Sequence, residues 1–472
     1  MKRRSSSLRR STRTGHHPRT SRAPPERKLV KKTTIAAAVA MLTAIGLLAG
    51  CAGGQTGGAE GSAGTLKVAA FEGGYGAEMY QEVVDAYKSV APDVTIELTT
   101  SKTLAQELTP QVAAGDFPDV VILGQGAKEG FTEGFIRDRG LEDLTSVLDE
   151  TVPGENVTVR SKLTEGIIDN LNTNPYGDDK VYLMPMYASP TGLVYNSGLF
   201  AQKGWTVPTT WDEFFALGDK AKAEGISLFT YPTAGYLDSY FFALLSTIGG
   251  EDFYRDVVTY KENVWEQPDA RKALELTTKL LTQYTAPSTV GYANGQDFTK
   301  NQQTILDDTV LFMPNGTWIA NEMKDAPRAD GFAWGLAPVP AVSSGGERYL
   351  TTFVENAWVP SGATNKDAAK AFIAFLYSDK AAAIFAKTGA IQPITGLSGT
   401  LSGDSAKFYA AYSEPDVKAL VGGFAATEPV PGVDLKATLF DTANSIVNGT
   451  VTLDQWQDQV NEASNRLGAA AK

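Results

Sequence analysis

The chain reads as an α/β protein of two lobes, and three observations predict this. From residue 66 to residue 123 the apolar segments follow the order β-α-β-α-β, which makes a parallel sheet with right-handed crossovers. A second strand-and-helix alternation opens near residue 207. Once the first 50 residues are set aside, about 420 remain, beyond the ~250–300 at which a single core stops growing.

Those first 50 residues are a leader by composition. Residues 1–32 hold twelve Lys and Arg against one acid, Glu26, and an uncharged apolar run, 35–48, follows. A basic stretch, a short apolar stretch and small residues at a cut site describe a secretory signal peptide. The run is shorter than the ~20 apolar residues a membrane span needs. It ends Leu48-Ala49-Gly50-Cys51, which resembles the lipobox of bacterial lipoproteins. That likeness implies a diacylglycerol on the Cys51 sulfur, cleavage just before it, and anchoring at the outer face of the cell membrane. Residues 52–64, rich in Gly, Ala and Ser, make a flexible tether. The basic stretch is long, and Val30-Lys31-Lys32 with the apolar run is a sufficient leader by itself, so deletion of residues 1–29 is expected to leave export intact.

Composition then excludes several chemistries. The leader carries twelve of the 42 Lys and Arg but one of the 54 Asp and Glu, so the remainder holds 30 basic against 53 acidic side chains, a charge of about −23. Nucleic acid and anionic lipid surfaces need basic patches and are poor partners for it. Both histidines, His16 and His17, lie in the leader, and Cys51 is the single cysteine. Triads built on His, Cys nucleophiles, disulfides and the usual zinc sites are therefore out. No cofactor or metal is expected, and a monomer is.

Along the first lobe, strands are expected over 66–71, 94–98 and 120–123, and helices over 77–88 and 104–114. Met79, Val83 and Tyr87 recur at a spacing of four and should face the sheet. Residues 120–123 are wholly apolar, as a strand buried on both faces would be. Ligands of such sheets bind beyond the carboxyl ends of the strands, which puts Phe71-Glu72 and Gly124-Gln125 at the ligand edge. In the second lobe Thr210 and Glu213 fit a capping box at the start of a helix over 211–224. Strands over 226–230 and 311–313 follow, then one over 349–354, with late helices over 367–377, 380–387, 436–447 and 453–467.

Three segments carry a resemblance to a known family. Residues 113–121 read AAGDFPDVV. Residues 195–200 read YNSGLF and run on to GWTVPTTWDEF at 204–214. Residues 313–318 read MPNGTW. They are similar to the signatures of the extracellular solute-binding proteins of family 1, which serve carbohydrate ABC importers, and the likeness spans nearly all of residues 66–467. FEGGYG at 71–76 and Gly204-Trp205 most resemble the branch that binds N-acetylglucosamine and diacetylchitobiose. The resemblance implies a two-lobe periplasmic-binding-protein-like fold of type II, with the ligand in the cleft and closure by a hinge. It implies chain crossings near Tyr187, Glu355 and Gly403. The first lobe is then 65–187 plus 355–403, and the second is 188–354 plus 404–472. The partners implied are a sugar, the importer's permease subunits and, through Cys51, the membrane.

A pyranose offers apolar faces and a rim of hydroxyls, so its site wants aromatic planes with carboxylates and amides. By family match Trp318 is expected to stack on a sugar face. Glu72 and Tyr75, in a Gly-rich loop at a strand's carboxyl end, are candidates to meet hydroxyls, and Gln125 ends the buried third strand. Tyr187, Glu355 and Asn356 fall at crossings, Asn315 lies in the same MPNGTW segment as Trp318, and Tyr236 and Tyr240 precede a helix. Trp211 is expected in the core. Gly124-Gln125-Gly126 stands where longer-oligosaccharide relatives carry a bulky aromatic, which favours a short sugar. A glycosidase needs only two carboxylates, and 53 acids leave that open, but no carboxylate-centred motif appears. The expectation is a binder, not an enzyme, with maltose-, cello-, galacto- or xylo-oligosaccharides as the alternative ligands.

Overall fold

The computed structural model describes residues 64–471 apart from 127–129, 165, 166, 169, 234, 295 and 296. The leader, Cys51 and the tether lie outside the described residues.

The first strand, β1 (Thr65–Phe71), alternates at its start and is buried from Val68 to Ala70. It pairs in parallel with β2 (Thr95–Ser101) on one side and β3 (Val120–Ile122) on the other. The wholly apolar β3 is buried throughout. Helix Glu78–Tyr87 turns Met79, Val83 and Tyr87 inward, the face expected from their spacing. These elements, with helix Lys366–Leu376, share one core around Val83, Val120 and Phe372.

A long strand, β4 (Met184–Asn196), then leaves this lobe. The second lobe holds β5 (Ser227–Phe229), β6 (Val310–Gly316) and β7 (Trp334–Ala337). The chain returns along β8 (Arg348–Trp358) and adds β9 (Val417–Val421). Trp211, Phe214, Phe241, Trp265 and Trp456 build the second core. Helix Trp211–Ala223 opens with the expected capping box: Glu213 N–H donates to Thr210 Oγ1 at 3.3 Å, and Thr210 N–H to Glu213 Oε2 at 3.2 Å.

The two lobe sheets are continuous, in the order β2-β1-β3-β8-β4-β6-β5, with β7 on β4 and β9 on β8. The cause is strand length. At 13 and 11 residues, β4 and β8 are about twice as long as ordinary strands, so each belongs to both lobes. They pair antiparallel from Met184↔Ala357 to Thr191↔Thr351, with a bulge between Pro185 and Tyr187. Helices Leu237–Val258 and Pro268–Tyr284 complete the second lobe. The first of them is broken at Gly250, whose φ of 76° is left-handed.

Candidate functional site

Three strand ends converge where β4 and β8 join the lobes. From the first lobe come the loop after β1 and the Gly124-Gln125 end of β3. From the second comes the Thr317-Trp318 end of β6. On the joining strands Tyr187 is opposite Glu355, and Ser189 is opposite Phe353.

Tyr75 is the centre of this meeting. Its hydroxyl shares hydrogen bonds with Ser189 Oγ, at 2.6 Å, and with Thr317 Oγ1. Its ring meets Tyr187 edge-on at 5.2 Å and Trp318 at 6.5 Å. Burial pushes the phenol up to about 12, with the two hydroxyls opposing. These two hydrogen bonds tie the loop after β1 to β4 and to the end of β6.

Glu355 is 1 % exposed. Its Oε2 accepts from the Tyr187 hydroxyl at 3.2 Å, while Oε1 has no hydrogen-bond partner. That oxygen faces the end of β3, where a methyl at Gly124 would stand 3.3 Å away. Burial raises the carboxyl to about 7, against the opposing pull of hydrogen bonds. A buried acceptor without a partner is costly, and the main-chain N–H groups of Gly124 and Asn356 help the carboxyl to ionise there.

Trp318 is half-buried. It lies near Phe353 (5.6 Å, 71°) and Tyr236 (6.2 Å, 60°), and Tyr236 in turn near Phe298. The Tyr236 hydroxyl donates to Glu322 Oε1 at 3.4 Å, and Gln302 Nε2 donates to Glu322 Oε2 at 2.6 Å. Burial raises both the Tyr236 phenol and the Glu322 carboxyl. Farther along, Lys436 Nζ donates to the Gly126 carbonyl at 3.0 Å. Burial raises Asp238, and the Lys436 charge partly offsets it.

The amides form a separate chain: Gln125 Nε2 donates to Asn172 at 3.1 Å (main-chain O) and 3.3 Å (Oδ1), and Asn172 Nδ2 to Asn356 Oδ1 at 3.3 Å. This brings Gln125 and Asn356 to the joining strands, already partnered. Asn315 is fully buried, its Oδ1 accepting from Gly316 N–H and its Nδ2 without a partner.

Two expected residues stand elsewhere. Glu72 is half-buried and turns to the exposed Lys102, 3.5 Å away. Tyr240 is inside helix Leu237–Val258 rather than before it, and it is fully buried in the second core against Trp211 and Phe229. Its hydroxyl bonds Thr277 at 3.0 Å, so it is not a cleft residue. Trp205 also packs into that core, on Phe200. The sequence missed Ser189, Thr317, Glu322 and Asp238. Strand period two from Tyr187 and helical spacing four from Trp318 would have pointed to Ser189 and Glu322.

Two lobes joined by paired strands, with aromatic plates and unpartnered polar atoms of Glu355 and Asn315 where they meet, define a protein that traps a small solute. The chain belongs to the bacterial extracellular solute-binding proteins, whose family pattern matches residues 73–383. The family places it among binding proteins rather than enzymes. The diacetylchitobiose binding protein NgcE of Streptomyces coelicolor is 25% identical over 354 residues, 72% of this chain and 71% of that one. A maltotriose-binding protein of Pyrococcus abyssi is 23% identical over 300 residues, 63% of this chain and 58% of the other. Among solved structures, a chitin oligosaccharide binding protein superposes with a TM-score of 0.68 at 17% identity, covering 86% of this chain and 99% of that one. RafE in complex with raffinose gives 0.65 at 18%, covering 86% and 99%. Among the described residues no helix is long and apolar enough to cross a membrane.

Proposed function

We propose that this protein captures a carbohydrate between its lobes and hands it to the permease of an ATP-driven importer. The observation that carries this is the pairing of aromatic plates, Trp318 and Tyr236, with the unpartnered Glu355 oxygen at the joining strands. An aromatic face takes the apolar side of a pyranose, and a carboxyl with a free oxygen takes its hydroxyls. Asn315, with its unpartnered amide nitrogen, is a further candidate for the polar side. Closure by hinge bending about β4 and β8 brings contacts from both lobes onto the ligand at once. The lobes divide as 65–187 plus 355–403 against 188–354 plus 404–472.

The finer proposal is N-acetylglucosamine or diacetylchitobiose. It is supported by the relative named for diacetylchitobiose and by FEGGYG at 71–76, whose Tyr75 and Gly74 reach the cleft. Gly204-Trp205 lends no support, since Trp205 is a core residue of the second lobe. The competing reading is another oligosaccharide, favoured by the maltotriose-named relative. Calorimetric titration separates them: heat with the N-acetylated sugars and none with maltotriose or raffinose supports the finer proposal, and the reverse pattern discards it while keeping a sugar.

We also propose that Cys51 carries the lipid anchor, holding a monomer at the outer face of the membrane near its permease. The support is the Leu48-Ala49-Gly50-Cys51 sequence behind an apolar run.

A further inference from the structure

Gly74 of the first lobe meets Trp318 of the second. A methyl group at Gly74 would stand 2.9 Å from Trp318 Cδ1, 3.0 Å from Cβ and 3.1 Å from Cγ, well inside the ~3.5–4.0 Å of carbon contact. Its three nearest neighbours are thus all atoms of one residue on the opposite lobe. Gly74 is not among the glycines with positive φ, so no turn geometry demands glycine there. The demand comes from across the cleft.

The ring that meets it is held in place. At the six-membered end of the indole a methyl at Gly316 would fall 2.1 to 2.5 Å from Cζ3, Cη2 and Cε3, so Trp318 packs closely on the end of its own strand. One turn on, Asn321 Nδ2 donates to the Gly74 carbonyl at 2.8 Å. Tyr75, the next residue, bonds Thr317, which precedes Trp318. A bare stretch of backbone from one lobe therefore rests on a fixed ring from the other, with a hydrogen bond on each side.

We propose that Gly74 is the stop that sets how closely the lobes approach, and so the thickness of the slot beside Trp318. It is a specificity-determining position that need not touch the ligand. The inference rests on the interlobe cleft as the binding site but not on which sugar fills it. A side chain at 74 has no room while the lobes are together and gains it once they part. The strain is relieved by opening rather than unfolding, and affinity falls because the closed state is less populated.

The test compares purified wild-type protein with Gly74→Val, Trp318→Ala and the double variant, by small-angle scattering and thermal melting. Scattering is recorded in sugar-free buffer and with millimolar diacetylchitobiose, maltotriose and raffinose. The expected result is a larger radius of gyration for Gly74→Val in at least one of these buffers, with an unchanged sugar-free melting midpoint. Any sugar that binds wild type should bind it about tenfold or more weakly. In the double variant the radius should return to that of Trp318→Ala alone. A Gly74→Val radius equal to wild type in every buffer overturns the inference. So does an enlarged radius, or a lowered midpoint, that removing the indole fails to correct, because the effect then arises within the first lobe. If no sugar binds, the carbohydrate reading fails alone, and the sugar-free comparison still decides the role of Gly74.

Discussion

The Tyr187 hydroxyl donates to Glu355 Oε2 at 3.2 Å across the two strands that join the lobes. This is a carboxyl taken out of water on the strands that join the lobes, held by a neutral donor, with its other oxygen unpartnered.

A pH dependence of stability follows. Burial raises Glu355 from an ordinary 4.5 to about 7. Between those values the folded protein keeps a proton that the unfolded chain gives up. Its contribution to stability is therefore full at low pH, is lost as pH rises from about 4.5 through 7, and stays lost above. The loss amounts to at most about 3 kcal/mol. Glu355→Gln should remove that part of the slope in urea unfolding between pH 4.5 and 8. Parallel profiles for the two proteins would show that the carboxyl is ionised and solvated in the fold.

Trp318 offers a half-buried face between Tyr236 and Phe353. Trp318→Ala should weaken sugar binding by about 1–3 kcal/mol, as loss of one stacking plate does. Calorimetry on a variant with a wild-type far-ultraviolet spectrum checks it. Unchanged affinity would remove the indole from the site.

Tyr236 and Tyr240, four residues apart, should respond in opposite ways. Tyr240→Phe deletes a hydrogen bond to Thr277 inside the second core and should cost about 1 kcal/mol of stability with no change in affinity. Tyr236→Ala, which also removes packing on Trp318 and Phe298, should weaken binding. Equal affinity losses from both would contradict the placement of Tyr240.

Cys51→Ala should move the protein from the membrane fraction to the medium or the soluble envelope fraction, as loss of an acyl anchor does. Retention in the membrane fraction would mean that something other than that sulfur holds it.

What could be read from the sequence was what local pattern encodes. The inward face of Met79, Val83 and Tyr87, the apolar β3 and the Thr210–Glu213 cap all appear where their spacing puts them. The Trp318 motif marked the strand end that reaches the cleft. What stayed hidden depends on partners far away in the chain. Nothing local to Tyr75 tells that its hydroxyl is spent on Ser189 and Thr317, 114 and 242 residues on. Tyr240 and Trp205 carry the same aromatic signal as a sugar plate, and only the fold of helix Leu237–Val258 and the packing on Phe200 turn them into core. The pairing of β4 with β8 is a contact across more than 150 residues, beyond the reach of periodicity.

The most direct measurement is a thermal-shift screen of the purified protein and its Trp318→Ala variant against N-acetylglucosamine, diacetylchitobiose, maltotriose, raffinose, xylo-oligosaccharides and a set of peptides. A sugar at 100 times its dissociation constant adds ~2.7 kcal/mol of stability. Carbohydrate capture in this cleft predicts a raised midpoint with at least one sugar, lost or much reduced without the indole. A shift with peptides alone, or a sugar shift that Trp318→Ala leaves intact, would contradict it.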